Sequence, residues 1–447
     1  MSQHPLRFWA WAFVLVNLTC DIGGGTNASS RYASLLAMTE DHQFSINHYL
    51  GQTADWAKVG DRYYSNKAPG PVLVAFPFFW VVDTLTQSGN GNRVSRDKLR
   101  RQLRYFHLKW LSLLLQVLPM LLLFWWAVDW FESQGRFDLS IFSAITLFGT
   151  TSALMMNHFS GHGFAAVCVF GCVLGLVRKR WFFSGTAFGF ALLSDYGLSL
   201  LLLPVLLVLL SEWIGKKSPA SLANWIMGGV IPGVLWVAYH QYCFGHWLSL
   251  PLAFQNPDFI TVDQAGVWGQ FRWLPNPVAL QELIFGPSRG LLWTNTWLLL
   301  GLGLVFVKTP QTAVTPSNRV GFVAWSGLTL LLLMVATFGA WHGGHTVGPR
   351  YLSAVLPLFG LWLGHYWVGK WAWALIAPSL LLNSMVFLTG EVPPPGVGLW
   401  KFYLEQVSVP DGTFWARVVG LVLSGWIVQR WFRIRPLTGH QSGQLQK

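Results

Sequence analysis

Arg31 and Tyr32, and after them Arg62-Tyr63-Tyr64-Ser65-Asn66-Lys67-Ala68-Pro69, put cations and phenols into one polar stretch between two apolar runs. Lysine is a compact point charge for phosphate, and tyrosine settles where lipid meets water, so this grouping suits an anionic headgroup. Snorkelling of Lys67 to the interface is the plainer use of the same side chain. A second cluster is Trp341-His342-Gly343-Gly344-His345-Thr346-Val347-Gly348-Pro349-Arg350-Tyr351. Its glycines permit close backbone approach, and the planar fork of Arg350 can chelate a phosphate. Arg289, in Ser288-Arg289-Gly290-Leu291-Leu292, stands where another apolar run begins, with helix-end anchoring as its alternative. His342 and His345 could ligate a metal only with a third ligand, so hydrogen bonding is their commoner role. His158 and His162, beside Asn157, and Ser194-Asp195-Tyr196 are polar groups set in apolar sequence, which is costly and implies either function or helix-to-helix hydrogen bonds.

These groups must be positioned by membrane helices. Hydrophobic residues make up 53% of the 447 and charged residues only 11%, less than half the charge of a soluble domain. Apolar runs of spanning length fall near Leu6 to Cys20, Pro71 to Leu85, Trp110 to Phe131, Leu139 to Met156, Gly161 to Val177, Phe182 to Leu193, Leu198 to Ile214, Trp225 to Tyr242, Leu291 to Val307, Val320 to Gly339, Leu352 to Val368, Trp371 to Leu388 and Phe414 to Trp431. The expected fold is an all-α integral membrane bundle of about 12–13 transmembrane helices, forming one polytopic domain over residues 1 to 447. The net charge of +12 sits in clusters at 93 to 109, Arg178-Lys179-Arg180, Lys216-Lys217 and Arg430 to Arg435, not in a stripe with interleaved aromatics. It therefore reads as the positive-inside signal and excludes a nucleic-acid partner. The four cysteines lie in or beside apolar runs, and Cys168 and Cys172 lack a second pair, so they read as small helix residues.

With the amino end inside, residues 21 to 69 form a structured first outer loop, and 243 to 290, the 342 to 350 turn and 389 to 413 are also outer. The count then conflicts in the middle. An inside loop at 93 to 109 and an inside Arg178-Lys179-Arg180 need an even number of crossings, yet three runs separate them. One of these three runs, or the short Phe182 to Leu193 run, is expected to enter and return without crossing.

In order, Ser30-Arg31-Tyr32-Ala33, Thr53-x-Asp55, Tyr63-Tyr64-Ser65-Asn66-Lys67-Ala68-Pro69-Gly70, Ser288-Arg289-Gly290-Leu291-Leu292 and Gly348-Pro349-Arg350-Tyr351-Leu352 resemble the polytopic GT-C glycosyltransferases. The likeness runs from about residue 5 to about residue 390 and is narrowest with the bacterial branch related to protein mannosyltransferases and lipid A aminoarabinose transferases. It implies a sugar carried on a polyprenyl phosphate, a glycan, lipid or protein acceptor in the cell envelope, and inverting transfer at the outward face of a bacterial inner membrane. It assigns the donor phosphate to Lys67 and Arg350, with Arg31 and Tyr64 beside them, and leaves Tyr63, His342, His345, Arg289 and His158 as further site candidates. No cofactor is required by the motifs, and a divalent cation is compatible with them. The family places an acid just before the Ser-Arg-Tyr segment, where this chain has Thr26-Asn27-Ala28-Ser29. Asp55 and Asp21 are the substitutes for the general base, with Glu40 and Asp41 behind them. Two other classes remain: a transporter or flippase of a lipid-linked or anionic substrate, which would show paired repeats and midplane polar groups, and a non-catalytic scaffold of the same fold.

Overall fold

The computed structural model describes residues 4–23, 25–87, 93–135, 137–216, 220–259, 270–307, 315–366 and 369–434. Arg435 of the last basic cluster and Trp268-Gly269 lie outside them. The first described helices are α1 (His4–Thr19) and α2 (Gly25–Glu40), the latter buried on all sides from Ala28 to Ala37. Next come a short 3-10 turn and a hairpin of β1 (Trp56–Val59) and β2 (Arg62–Ser65), paired antiparallel from Trp56↔Ser65 to Val59↔Arg62. Gly60, at φ +58°, supplies the backbone that a two-residue hairpin turn requires. No strand was expected in an all-helical chain. Asn256 closes over this one, donating from its backbone to the Trp56 carbonyl and from its side chain to the Ala54 carbonyl at 3.2 Å.

The bundle continues with α3 (Gly70–Gln87), α4 (Arg93–Ser112), α5 (Leu118–Gln134), α6 (Leu139–Leu147), α7 (Thr151–Met156), α8 (Gly161–Val177), α9 (Trp181–Ser194), α10 (Leu202–Lys216) and α11 (Ala220–Phe244). After it come α12 (Pro277–Phe285), α13 (Leu291–Thr294), α14 (Leu298–Val307), α15 (Pro316–Thr337), α16 (Pro357–Leu363), α17 (Ala372–Thr389), α18 (Leu399–Ser408) and α19 (Gly412–Ile434). Among the described residues, five helical segments are long and apolar enough to cross a membrane: Lys98–Gln134, Tyr196–Gly215, Ala220–Phe244, Pro316–Thr337 and Ala372–Thr389. Shorter apolar helices pack around them.

Two apolar runs that read as single spans are broken. Leu139 to Met156 parts at Phe148–Thr150, and Leu291 to Val307 parts at Asn295–Trp297. The freed backbone groups are satisfied from neighbouring helices, as lipid demands. Trp297 donates its indole N–H to the Gly149 carbonyl at 2.6 Å, Asn383 of α17 donates to the Phe148 and Thr150 carbonyls, and Ser379 accepts from the Thr296 amide at 2.8 Å. The two breaks therefore face each other across α17.

The basic segment 93 to 109 is not a loop at the opposite end from residues 21 to 69. It is α4, continuous with α5 through a π-turn at Leu113–Val117, and it packs on the first polar segment. Arg100 is buried between Asp83 and Glu40, Arg104 donates to Ser29, and Lys109 donates to the Cys20 and Asn157 carbonyls at 2.5 and 3.1 Å. Those three cations are spent on carboxylates, carbonyls and a hydroxyl at that end. Arg178 instead pairs with Asp129 near the end of α5, at 2.6 Å, so Arg178-Lys179-Arg180 marks the far end. Both ends of α3 lie along α2: Gly70 abuts Ser194, next to the Arg31 neighbour Gly161, and Asp83 meets Glu40 through Arg100. Thus α3 runs beside α2, and α4 packs against both.

Candidate active site

The near end of α2, the turn after β2, the start of α8, the end of α9 and the turn before α16 converge on one cluster of charge. Ser30 ties the first two together: its hydroxyl lies 2.5 Å from the Asp55 carbonyl and 2.7 Å from the Ser65 hydroxyl. Ser65 in turn accepts from the Lys67 amide at 3.2 Å. Thr53, bonded to the Thr26 carbonyl, accepts from the Asp55 amide at 3.0 Å. These bonds fix Asp55 and Lys67 side by side, with Nζ 3.0 Å from Oδ1.

Two glycines allow α8 and α9 to close on this pair. A methyl group on Gly161 would strike the Arg31 guanidinium and lie 2.8 Å from the Ser194 carbonyl oxygen, and one on Gly70 would lie 2.8 Å from the Leu193 carbonyl oxygen and strike the Ser194 hydroxyl. Arg31 is thereby buried, held by Asn27 and near Asp55, Asp195 and Arg350. Arg350 reaches the cluster from the far sequence. Its guanidinium stacks on the Tyr351 ring at 5.0 Å and donates to the Tyr351 hydroxyl at 3.2 Å.

The electrostatics follow from three cations meeting two carboxylates, Asp55 and Asp195. Burial pushes Lys67 down to about 8, an effect that Asp55 opposes and that Arg350 and Arg31 reinforce. Burial likewise lowers Arg31 to about 10 against the pull of Asp55 and Asp195. Burial raises Asp55, but Lys67, a hydrogen bond to Thr26 and Arg350 outweigh it and hold the carboxyl below its usual range. The cluster keeps a net positive charge, and the Nε atoms of Arg31 and Arg350 are buried without a hydrogen-bond partner among the described residues. Buried donors are normally satisfied, so unsatisfied guanidinium N–H groups in a positive cluster mark a place for an anion. Lys67 also borders a small cavity lined by Ser34, Met38, Phe44, Val72 and Tyr239.

The structure brings Lys67, Arg350, Arg31 and Asp55 together, and it separates other residues that the sequence grouped with them. Tyr64 packs into an apolar cluster with Ala57, Tyr239, Cys243 and Phe244, its ring 5.7 Å from that of Phe244 and its hydroxyl on Arg62. Tyr63 projects from the other face of the hairpin, against Trp56 and beneath Lys58. Asp21 accepts from the Gly23 amide and lies with Lys109 and Arg417. Arg289 is committed to backbone: it donates to the carbonyls of His342, Ser288, Gly344 and Thr346 at 2.7 to 2.9 Å. It thus shapes the loop on which Arg350 rests, with Gly343 packed against the Arg350 side chain. His342 accepts from the Gly344 amide at 3.0 Å, and His345 is exposed. His158 is held down at about 4 by burial, opposed by Asp21, and its Nδ1 is buried and unpartnered among the described residues. No three His, Cys, Asp or Glu side chains among the described residues gather as a metal site.

Two residues join the cluster that motif order did not select. Asp195 accepts from the Gly197 amide at 3.1 Å and lies 3.0 Å from Nδ1 of His162, whose ring meets Tyr351 edge to face at 5.4 Å. The signal for both was a polar residue at the mouth of an apolar helix, which by itself does not say what it faces.

No family model and no curated protein matches the chain. Among solved structures it is similar to the crystal structure of ArnT from Cupriavidus metallidurans bound to undecaprenyl phosphate, at 14% identity and a TM-score of 0.52, over 97% of this chain and 73% of that one. A likeness at that identity speaks for the fold, and together with the apolar helices it makes the chain an integral membrane protein with a helical fold like that of the ArnT structure.

Proposed function

We propose that the chain is a membrane glycosyltransferase that moves a sugar from a polyprenyl-phosphate donor to a cell-envelope glycan, lipid or protein, with inversion, at the outward face of a bacterial inner membrane. The observation that carries the reading is the convergence of Lys67, Arg31 and Arg350, with two buried guanidinium N–H groups left for an anion. ArnT was solved with undecaprenyl phosphate bound, and the same class of ligand suits a positive cluster at the end of a helical bundle. In this reading the three cations hold the donor phosphate and stabilise the charge that grows on it as the sugar departs. Asp55 keeps Lys67 aimed at the site and gives way when phosphate takes the lysine. Arg289 sets the loop that presents Arg350. In this reading the segment around Asn256, which closes over the hairpin, and residues 389 to 413 border the acceptor.

The test is transfer by membranes carrying the chain, given a panel of labelled undecaprenyl-phosphate sugars. Lys67→Ala and Arg350→Ala are expected to abolish a transfer that the parent chain performs, with both variants inserted at normal levels. Unchanged transfer by both variants overturns the site. Tight binding of undecaprenyl phosphate with no transfer of any sugar would favour a binding protein of the same fold, the outcome that Asn27-Ala28 in place of an acid makes worth measuring.

A further inference from the structure

We infer that His162, oriented by Asp195, is the general base that activates the acceptor hydroxyl in this chain. The inference rests on the transferase reading and names a residue that reading leaves open. The expected acid before Ser30 is absent, and Asp55 is committed, with Oδ1 on Lys67 at 3.0 Å and a second bond to Thr26. Asp21 lies with Lys109 and Arg417. His162 has the geometry that those carboxylates lack. Asp195 takes its Nδ1 at 3.0 Å, and Asp195 is itself fixed by the Gly197 amide at 3.1 Å. That bond sets the tautomer with the lone pair on Nε2, the form in which an imidazole accepts a proton. The ring stands edge-on to Tyr351 at 5.4 Å, next in sequence to Arg350, while Gly161 touches Arg31. The base is thus beside two of the three phosphate cations. The charged groups facing it are Asp195 from the end of α9, Arg31 from α2, Arg350 from the turn before α16 and, from its own approach, His158.

The step balances without a further reactant. The acceptor hydroxyl gives its proton to Nε2 of His162 as its oxygen bonds to the anomeric carbon. The bond from that carbon to the phosphate oxygen breaks, and its electron pair leaves on polyprenyl phosphate beside Lys67, Arg31 and Arg350. The imidazolium, stabilised by Asp195, returns the proton to water.

The test uses the full chain in lipid nanodiscs, with undecaprenyl phosphate as the binding probe and the same panel of labelled undecaprenyl-phosphate sugars for turnover. His162→Gln is expected to lower turnover by about 100-fold or more, the usual share of a general base, while its undecaprenyl phosphate affinity stays within threefold of the parent. Asp195→Asn is expected to lower the plateau and move the acidic limb of the pH profile to lower pH, because the imidazolium loses its counter-charge. Asp195→Glu should recover part of both. Turnover by His162→Gln within threefold of the parent overturns the inference. Loss of undecaprenyl phosphate binding in that variant also overturns it, since His162 would then be a donor-binding group. The underlying reading fails separately, by Lys67→Ala keeping full affinity for undecaprenyl phosphate. A parent chain that binds the lipid and turns over no sugar refutes the base and the transferase together.

Discussion

Replacing Lys67 should separate folding from binding in a way that only an ion pair doubling as a ligand site can produce. Asp55 and Lys67 are 3.0 Å apart, with side chains 9% and 20% exposed, so neither is fully rehydrated when the other is removed. Breaking such a buried pair costs about 3–5 kcal/mol, because a carboxylate is left unmatched. Arg31 and Arg350 also act on Asp55, and the lysine retains some water, so Lys67→Ala should cost near the lower end, about 3 kcal/mol. Lys67→Ala/Asp55→Ala removes both charges and should recover most of that loss. Binding should not recover with it. A hydrogen bond to a charged group contributes about 1.5–3 kcal/mol, which is about 10- to 150-fold in undecaprenyl phosphate affinity, and single and double variants should lose it alike. Asp55→Ala alone should tighten binding, since it releases the lysine from a competing anion. The assays are thermal unfolding of the detergent-solubilised chain and titration with undecaprenyl phosphate. If the double variant binds like the parent, or Lys67→Ala binds within twofold of it, Lys67 is not a phosphate ligand and the pair is structural.

Undecaprenyl phosphate affinity of the parent should fall as pH rises through about 8, where Lys67 loses its proton, and Lys67→Arg should flatten that fall because guanidinium does not titrate there. The same depressed lysine gives a stability trend of defined sign. Between about 8 and the lysine's ordinary range the unfolded chain binds more protons, so this group's contribution makes the protein more stable as pH rises; a flat unfolding temperature in Lys67→Met over that interval, against a rising one in the parent, checks it. Gly161→Ala would drive a methyl into the Arg31 guanidinium and the Ser194 carbonyl. Overpacking of that kind costs about 1–3 kcal/mol, so it should lower both the unfolding temperature and undecaprenyl phosphate affinity, whereas Gly229→Ala, whose nearest neighbour is an atom 3.9 Å away, should change neither.

Composition and run length alone specified a helical membrane protein, because an 11% charged chain cannot form a soluble surface and lipid admits few backbone solutions. Motif order also named Lys67, Arg350, Arg31 and Asp55, which the fold gathers. Sequence could not say where the basic segment 93 to 109 packs. Arg100 and Arg104 look like part of a positive loop until Asp83, Glu40 and Ser29 are seen to take their side chains. Motif order already put Arg350 ahead of Arg289, but only the loop from His342 to Thr346, wrapped around Arg289, shows the physical difference: one guanidinium is spent on carbonyls while the other keeps an N–H for a ligand. Tyr63 and Tyr64 are adjacent letters, yet a strand turns them to opposite faces. The pairing of Asp195 with His162 was decided by tertiary structure alone, because Gly70 lets α3 close on the end of α9 and Gly161 lets α8 close on α2 and α9, bringing together residues whose chemistry depends on contact, not on order.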